Sequence, residues 1–451
     1  MTPEITRLSN GLTIVTDPMP QLESAMLGVW VNAGTRNETR DMMGVSHMLE
    51  HMAFKGTETR SARDIAEEIE AVGGYLNAYT SREQTAFHAR MLRVNVPLAI
   101  DLLADILTRP TFEQSELERE RQVVLQEIGQ ARDTPDDIVF DHLQSVIYPD
   151  QPMGWPILGH NETVSAFTQD DLRTYMAVNY RAGDMTLISS GAVDHASIVR
   201  MVEEKFGSLR AGPAPAPLPA RYVGGDFRSV QDLEQAHIVY ALPGIASSDP
   251  DFYTAQVYIM ALGGGMSSRL FQEARERRGL CYAISAFVQA HRDSGTIGVY
   301  AGTGEKEAGE ISAVIAGEME NLATAATDKE VSRAKAQLKS SLLMGLERPG
   351  QRAEQIASQM FSYGRVLPIE EMSAKLDQID AAAVRRFGER VMLGSNPAMA
   401  AVGPVTKLEK QSVFARRFGG ASALRVADLP MPRLRQAQDA DLSVAALAKA
   451  E

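Results

Sequence analysis

The chain has 451 residues, of which 44% are hydrophobic and 23% are charged, as is typical of a globular protein of roughly two to four domains. Its net charge of −13 argues against nucleic acid as a partner and is compatible with a cationic substrate. The single cysteine, Cys281, excludes an internal disulfide and suits a reducing compartment. No signal-peptide pattern and no apolar run of membrane-spanning length is present. We therefore expect a cytoplasmic protein without a membrane partner.

The most informative segment runs from His47 to His51 and has the sequence His-Met-Leu-Glu-His. Positions i, i+3 and i+4 of a helix share one face, so His47, Glu50 and His51 can surround one metal ion. Two imidazole ligands beside a carboxylate base are typical of a catalytic zinc site with the inverted His-x-x-Glu-His motif. Such a site needs a third protein ligand from another element. The alternative is two surface histidines beside an acid on an ordinary helix.

Three segments that follow carry clear secondary-structure signals. Residues 61–72 have helical apolar spacing and capping residues at their start, and residues 76–93 have a β pattern. Residues 113–132 are predicted to form a long amphipathic helix. Glu120 and Glu127 lie two turns apart on one face of it, and the apolar neighbours of Glu127 favour that residue as a third ligand. Both glutamates could instead be solvated, as most paired glutamates on helices are.

A proline-rich stretch at residues 212–219 divides the chain almost in half and predicts a stiff, extended linker. Glycines and prolines recur at nearly constant distances on its two sides, which indicates two copies of one α+β unit. The pairs are Gly34 and Gly244, 210 positions apart, Pro135 and Pro349, 214 apart, and Gly191 and Gly403, 212 apart. Ser341 stands where the second copy would need a counterpart of Glu127. We expect only the first half to bind a metal.

The residues around these positions resemble those of a known family. Residues 47–57 closely resemble the active helix of the M16 metallopeptidases, and residues 76–85, 139–143 and 150–154 extend the likeness. It is greatest to the catalytic β subunit of mitochondrial processing peptidase and its bacterial relatives. The resemblance implies an α+β fold of two homologous α/β-sandwich domains, the metallohydrolase fold of LuxS and the processing peptidases. Such a chain is half of a clamshell chamber.

The resemblance also assigns roles to single residues. In the family, the third zinc ligand is a glutamate 76 residues beyond the second histidine, and Glu127 stands at that distance from His51. It implies Zn²⁺ on His47, His51 and Glu127, Glu50 as the general base, and a catalytic role for Glu120. The implied divisions are a zinc-binding domain at 1–211, a linker at 212–224, a homologous domain without metal at 225–430 and a tail at 431–451.

Two further groups match the substrate-binding residues of the family. The family binds peptide along an edge strand, which here corresponds to Leu76, Asn77, Ala78, Tyr79 and Thr80. An arginine and a tyrosine seven residues later hold the peptide backbone from the second domain, and Arg275 and Tyr282 have that spacing. Without the resemblance, a surface arginine and a core tyrosine would be the simpler interpretation.

An acidic pair resembles the site at which processing peptidases bind an arginine near the cleaved bond. Asp137 and Asp141 lie four residues apart and would share a helix face. The family usually has glutamate where Asp137 stands, so the reach of the side chain is shorter here. The alternative is a pair of solvated acids.

The resemblance implies that two chains build the complete chamber. Because one chain holds both the zinc motif and the Arg275 and Tyr282 pair, a homodimer is expected, with a heterodimer containing a zinc-less homologue as the alternative. The expected function is that of a zinc endopeptidase that acts on extended peptides. Two alternative functions are that of a non-catalytic subunit like the core proteins of the respiratory bc1 complex and that of a small-molecule metallohydrolase. The intact ligand set and the peptide-binding edge strand argue against them.

Overall fold

The structure, a computed structural model, describes residues 3–418, so the predicted tail at 431–451 lies outside the described residues. The first half of the chain forms β1 (Glu4–Arg7), β2 (Thr13–Pro18), β3 (Ser24–Val31), α1 (Val45–Ala53), α2 (Ala62–Ala71), β4 (Tyr75–Thr80), β5 (Thr85–Leu92), α3 (Val96–Thr108), α4 (Gln114–Arg132), α5 (Pro135–Ile147), α6 (Asn161–Ala166), α7 (Gln169–Asn179), β6 (Met185–Gly191) and α8 (His195–Phe206). The second half forms β7 (Gly225–Val230), β8 (Ala236–Pro243), α9 (Phe252–Gly263), a π-helical segment (Phe271–Arg277), β9 (Cys281–Ala290), β10 (Gly295–Thr303), α10 (Ala308–Ala325), α11 (Asp328–Leu346), α12 (Pro349–Tyr363), α13 (Ile369–Asp377), α14 (Ala381–Met392), β11 (Ala398–Gly403) and α15 (Gln411–Arg416). Among these helices none is long and apolar enough to cross a membrane.

The two halves build sheets with the same strand order, except that the first sheet has β1 as an additional edge strand. The first sheet has the order β1-β2-β6-β3-β5-β4, and the second has the order β7-β11-β8-β10-β9. In each, one parallel pair, β2 with β6 or β7 with β11, is followed by antiparallel strands. The strands β4 and β9 occupy matching edges. The α+β fold and the internal duplication indicated by the spacing of glycines and prolines are therefore confirmed.

Local sequence features set where the helices of the first half begin and end. Helix α2 begins at a capping box in which the hydroxyl of Ser61 accepts a hydrogen bond from the backbone N–H of Asp64. Helix α4 ends shortly before Pro135, which then starts α5, where its missing N–H is tolerated. Gly44 precedes α1 with a φ of +92°, and a Cβ there would lie 2.8 Å from the carbonyl oxygen of Leu158. Only glycine therefore allows α1 to begin here without strain.

Each half contributes one helix to the core of the other. Helix α5 packs on β8 and β11 of the second sheet and buries Val139, Leu143 and Ile147 there. Helix α12 packs on β3 and β6 of the first sheet and buries Ala353, Ile356 and Ala357 there. The two halves cannot separate without exposing both apolar faces to water. The sequence assigns α5 to the first domain and α12 to the second, and it does not reveal this exchange.

A buried arginine adds a polar link between the halves and the linker. Arg36 is 3% exposed, and its guanidinium lies 2.5 Å from a carboxylate oxygen of Glu83 and 2.5 Å from one of Asp293. It also donates to the carbonyl oxygen of Leu218 in the linker at 2.8 Å. Because a buried guanidinium is costly unless it is paired, this arrangement holds the two sheets in a defined relation.

Candidate active site

The three predicted zinc ligands lie together although they come from two helices. His47 and His51 are one turn apart on α1, and Oε2 of Glu127 on α4 lies 3.6 Å from Nε2 of each imidazole. One ligand atom of each residue lies within 4.8 Å of the others. Two ligands about 2.1 Å from a tetrahedral zinc ion are about 3.4 Å apart, so these separations suit a shared ion better than direct hydrogen bonds.

A second carboxylate orients His51. Nδ1 of His51 lies 3.0 Å from Oε2 of Glu120, whose Oε1 lies 2.6 Å from Nζ of Lys55. When Nδ1–H donates to this buried carboxylate, the lone pair of Nε2 faces Glu127 and is available to a metal. Glu120 therefore contacts the ring nitrogen of His51 that does not face Glu127. Its geometry is that of a positioning residue rather than of a group that touches substrate.

The protonation state of His47 also suits zinc. Burial, together with the smaller effect of the neighbouring His51, lowers the pKa of His47 to about 3. His47 is therefore neutral near pH 7, which is the form that binds a metal. Its Nδ1 is buried without a hydrogen-bond partner among the described residues. Two imidazole nitrogens and one carboxylate oxygen leave a fourth position open, as a catalytic zinc site requires.

Glu50 lies on the face of α1 that carries His47 and His51, and it is hydrogen-bonded to the end of β4. The hydroxyl of Thr80 donates to Oε2 of Glu50 at 2.6 Å. Burial raises the pKa of Glu50, and the hydrogen bond from Thr80 opposes that shift. A carboxylate with a raised pKa is a better proton acceptor, so the position of Glu50 suits a general base.

Strand β4 is the edge of the first sheet, and among the described strands it pairs only with β5. Leu76 and Ala78 pack against the core that contains α1. The hydroxyls of Tyr79 and Thr80 donate to glutamates inside the protein, and Asn77 lies on the exposed part of the strand. Most of these side chains therefore make contacts within the chain. The unpaired backbone N–H and C=O groups are the part of β4 that a peptide can use.

The two predicted arginine-binding acids share one face of α5 but differ in their surroundings. Asp137 is exposed in the first turn, whereas Oδ1 of Asp141 accepts a hydrogen bond from Arg82 at 3.2 Å. The guanidinium of Arg82 also donates to the carbonyl oxygen of Met153. Burial raises the pKa of Asp141, and the charge of Arg82 opposes that shift. Asp141 thus already has an arginine partner within the chain.

Arg275 and Tyr282 lie together. The guanidinium carbon of Arg275 lies 5.1 Å from the ring centre of Tyr282 and 4.7 Å from that of Phe271. Tyr282 is 75% exposed at the start of the edge strand β9. These contacts all lie in the second half of the chain, where they hold the arginine against two aromatic faces.

Glu38 is a buried residue beside the site that sequence reasoning missed. It is 5% exposed, and its carboxylate accepts hydrogen bonds from the backbone N–H groups of Gly44 at 2.9 Å and Ser46 at 3.0 Å, and from the Ser46 hydroxyl. Burial raises its pKa to about 8 although these donors oppose the shift. Glu38 thus satisfies backbone N–H groups at the start of α1, the zinc helix, whose N-cap residue Gly44 has no capping side chain. A single glutamate in a loop carries no periodic signal that could have revealed this role.

The sequence matches two parts of one family. Residues 13–161 match the family described as Insulinase (Peptidase family M16), and residues 166–338 match the Peptidase M16 inactive domain. The first match contains the zinc cluster, and the second begins before the linker, in the last part of the first half, and extends into the second half.

Relatives and solved structures agree with these matches. An uncharacterized zinc protease of Rickettsia felis is 37% identical over 401 residues, which cover 89% of this chain and 97% of that protein. A probable β subunit of mitochondrial-processing peptidase from Arabidopsis thaliana is 37% identical over 428 residues, 92% of this chain and 80% of its own length. A protease structure from Helicobacter pylori has a TM-score of 0.83 at 20% identity over 89% of this chain and 99% of its own, which shows a shared fold. A chain of complex III from Candida albicans has a TM-score of 0.81 at 21% identity, covering 92% and 99%. With the ligand geometry described above, these matches show that the chain belongs to peptidase family M16 and is a zinc-dependent metallopeptidase.

Proposed function

We propose that this enzyme cleaves extended peptides, including presequence-like segments, which it binds as an additional strand along β4. The observation that carries the proposal is the hydrogen bond from Thr80, the last residue of β4, to Glu50 on the zinc helix. It joins an unpaired strand edge to the proposed general base. A peptide paired with β4 would therefore pass the zinc cluster, and main-chain pairing would accept many sequences.

The residues of the site have complementary roles in this proposal. When bound, zinc supplies a Lewis acid that polarises the peptide carbonyl and lowers the pKa of a water molecule. Glu50 accepts the proton of the attacking water at Oε1, because Oε2 accepts the hydrogen bond from Thr80. The same carboxyl group then gives a proton to the departing amine. Glu120 keeps the Nδ1 proton of His51 in place, so the imidazole holds its orientation.

We further propose that two copies of the chain enclose the peptide in a chamber. A guanidinium and a phenol are suitable donors to a peptide carbonyl or to a developing oxyanion, and Tyr282 is exposed. In a homodimer, a second copy could present its Arg275 and Tyr282 pair to the peptide. A heterodimer with a zinc-less homologue is the alternative, and sedimentation of the purified chain at working concentration distinguishes the two.

The direct test is the cleavage of a quenched-fluorescent, arginine-containing peptide long enough to cover the six residues of β4. Cleavage is expected to stop when a chelator removes zinc and to return when zinc is added, because the proposed reaction needs the metal. Cleavage that persists in the chelated protein would contradict the mechanism. The absence of cleavage by zinc-replete protein would instead favour a subunit that needs a partner chain or serves a structural role.

We also propose that Asp137 contributes to the recognition of arginine in the substrate. Its carboxylate is exposed on the face that carries Asp141, which Arg82 already neutralises. Asp137→Asn is expected to raise KM about fivefold for an arginine-containing peptide and to leave KM unchanged for the same peptide with alanine, since an exposed ion pair contributes about 1 kcal/mol.

The matched control is Asp136→Asn, which removes an exposed charge from the same turn. Equal effects of Asp137→Asn on both peptides would contradict a role in arginine recognition. Asp141→Asn is a less selective variant, because it leaves the partly buried guanidinium of Arg82 without its carboxylate and is expected to lower stability.

A further inference from the structure

A carboxylate of the second half contacts strand β4, along which we propose that the peptide binds. Glu354 lies on α12, and its Oε2 accepts a hydrogen bond from the hydroxyl of Tyr79 at 2.7 Å and from Nε1 of Trp30 at 3.2 Å. Trp30, on β3, is fully buried, and its Nε1 also lies 3.2 Å from the Tyr79 oxygen. Three polar groups from β3, β4 and α12 thus satisfy one another where the two halves meet.

Tyr79 and Thr80 are consecutive residues of β4, so their side chains point to opposite faces of the sheet. The hydroxyl of Thr80 donates to Glu50 on α1, and the hydroxyl of Tyr79 donates to Glu354 on α12. The end of β4 nearest the zinc helix is therefore held from both faces. Burial and the nearby charge of Glu354 raise the pKa of Tyr79, which keeps its hydroxyl protonated as a donor.

Helix α12 is a rigid support for this contact. Two residues before Glu354, the guanidinium of Arg352 donates to the carboxylate of Asp17 on β2 at 2.7 Å, and both side chains are buried. On either side of Glu354, Ala353 and Ile356 are fully buried against the first sheet. Since the helix is fixed by both apolar and ionic contacts, the position of the Glu354 carboxylate is determined by the packing of α12 on the first sheet.

We propose that Glu354 is a positioning residue for peptide binding and acts through Tyr79 to hold the end of β4 in the register and orientation that a peptide needs. The second half then contributes to the binding of peptide beside the zinc cluster of the same chain. This inference rests on the proposed function, because it assumes that peptide pairs with β4. Thr80 keeps its own contact with Glu50, so the expected effect is on peptide affinity rather than on the chemical step.

The test compares Tyr79→Phe, Glu354→Ala and the double variant, each made in the active enzyme and in the Glu50→Gln background. Kd of a fluorescent extended peptide is measured in the background that does not turn over, and KM and kcat are measured in the active enzyme. Each single variant is expected to raise Kd and KM about tenfold, the size of a hydrogen bond to a charged group, with kcat changed less than about threefold. The double variant is expected to bind no more weakly than the weaker single variant, because both changes remove the same link.

Two further variants separate positioning from a general loss of stability. Glu354→Gln keeps an oxygen acceptor for Tyr79 and is expected to restore affinity to within about threefold of the parent. Gln351→Ala, an exposed change on the same helix, should leave Kd and thermal stability unchanged.

Multiplying effects in the double variant, or a lower Tm with unchanged Kd, would overturn the positioning role. Failure of the proposed function would look different, because the parent enzyme would not cleave the peptide and the Glu50→Gln protein would not bind it.

Discussion

Replacing Glu50 with glutamine is expected to lower kcat by about 10³-fold while the chain still binds zinc. Proton transfer by a positioned general base contributes roughly 10²–10⁴-fold, and an amide cannot accept the proton. Glutamine has the shape of glutamate, and its oxygen can still accept the hydrogen bond from Thr80, so the helix and the strand should stay in place. Turnover of the extended peptide and zinc content per chain are measured on the same preparation.

The control for this variant is Glu58→Gln, which removes an exposed carboxylate shortly after the zinc helix. It is expected to retain the parent activity and zinc content. A Glu50→Gln enzyme that kept more than about a tenth of the parent kcat with full zinc content would remove Glu50 from the role of general base. Loss of zinc together with activity would instead show that Glu50 helps to hold the metal.

Replacing Glu127 with alanine is expected to abolish both zinc retention and cleavage. Its carboxylate provides the one oxygen in the cluster of His47, His51 and Glu127. Removing it leaves two imidazoles, fewer than the three protein ligands that a catalytic zinc site uses. After dialysis, zinc content is expected to fall from about one ion per chain to near zero, and turnover should fall with it.

Two other variants on α4 provide comparisons for Glu127→Ala. Glu118→Gln changes an exposed residue of α4 and should leave zinc content unaltered. Glu120→Gln weakens the hydrogen bond to Nδ1 of His51, so zinc affinity should fall by about 10–100-fold while activity returns at saturating zinc. If Glu127→Ala kept zinc as firmly as the parent, another residue would have to be the third ligand.

Several features of the molecule could be predicted from the sequence because they depend on local patterns. The spacing of His47, Glu50 and His51 places them on one helical face wherever that helix lies. Capping residues set the start of α2, and proline sets the boundary between α4 and α5. The family resemblance then selected Glu127, which helical spacing alone had only made a candidate. The structure brings it to 3.6 Å from both imidazoles.

Other features depend on contacts between distant parts of the chain, which no local pattern records. Asp141 looks like a free acid in the sequence, but Arg82, 59 residues away, already pairs with it. Glu354 lies 275 residues from Tyr79, and their contact exists only because α12 packs on the sheet of the other half.

The sequence is sufficient to predict the metal-binding face of α1, the duplicated α+β unit and the family, because these depend on motif spacing and on patterns that recur along the chain. Tertiary packing determines which carboxylates are paired, how Glu38 supports the zinc helix and how α5 and α12 are exchanged between the halves. Those outcomes follow from how buried charges and apolar faces find partners once the sheets have packed, since burial without a partner is costly.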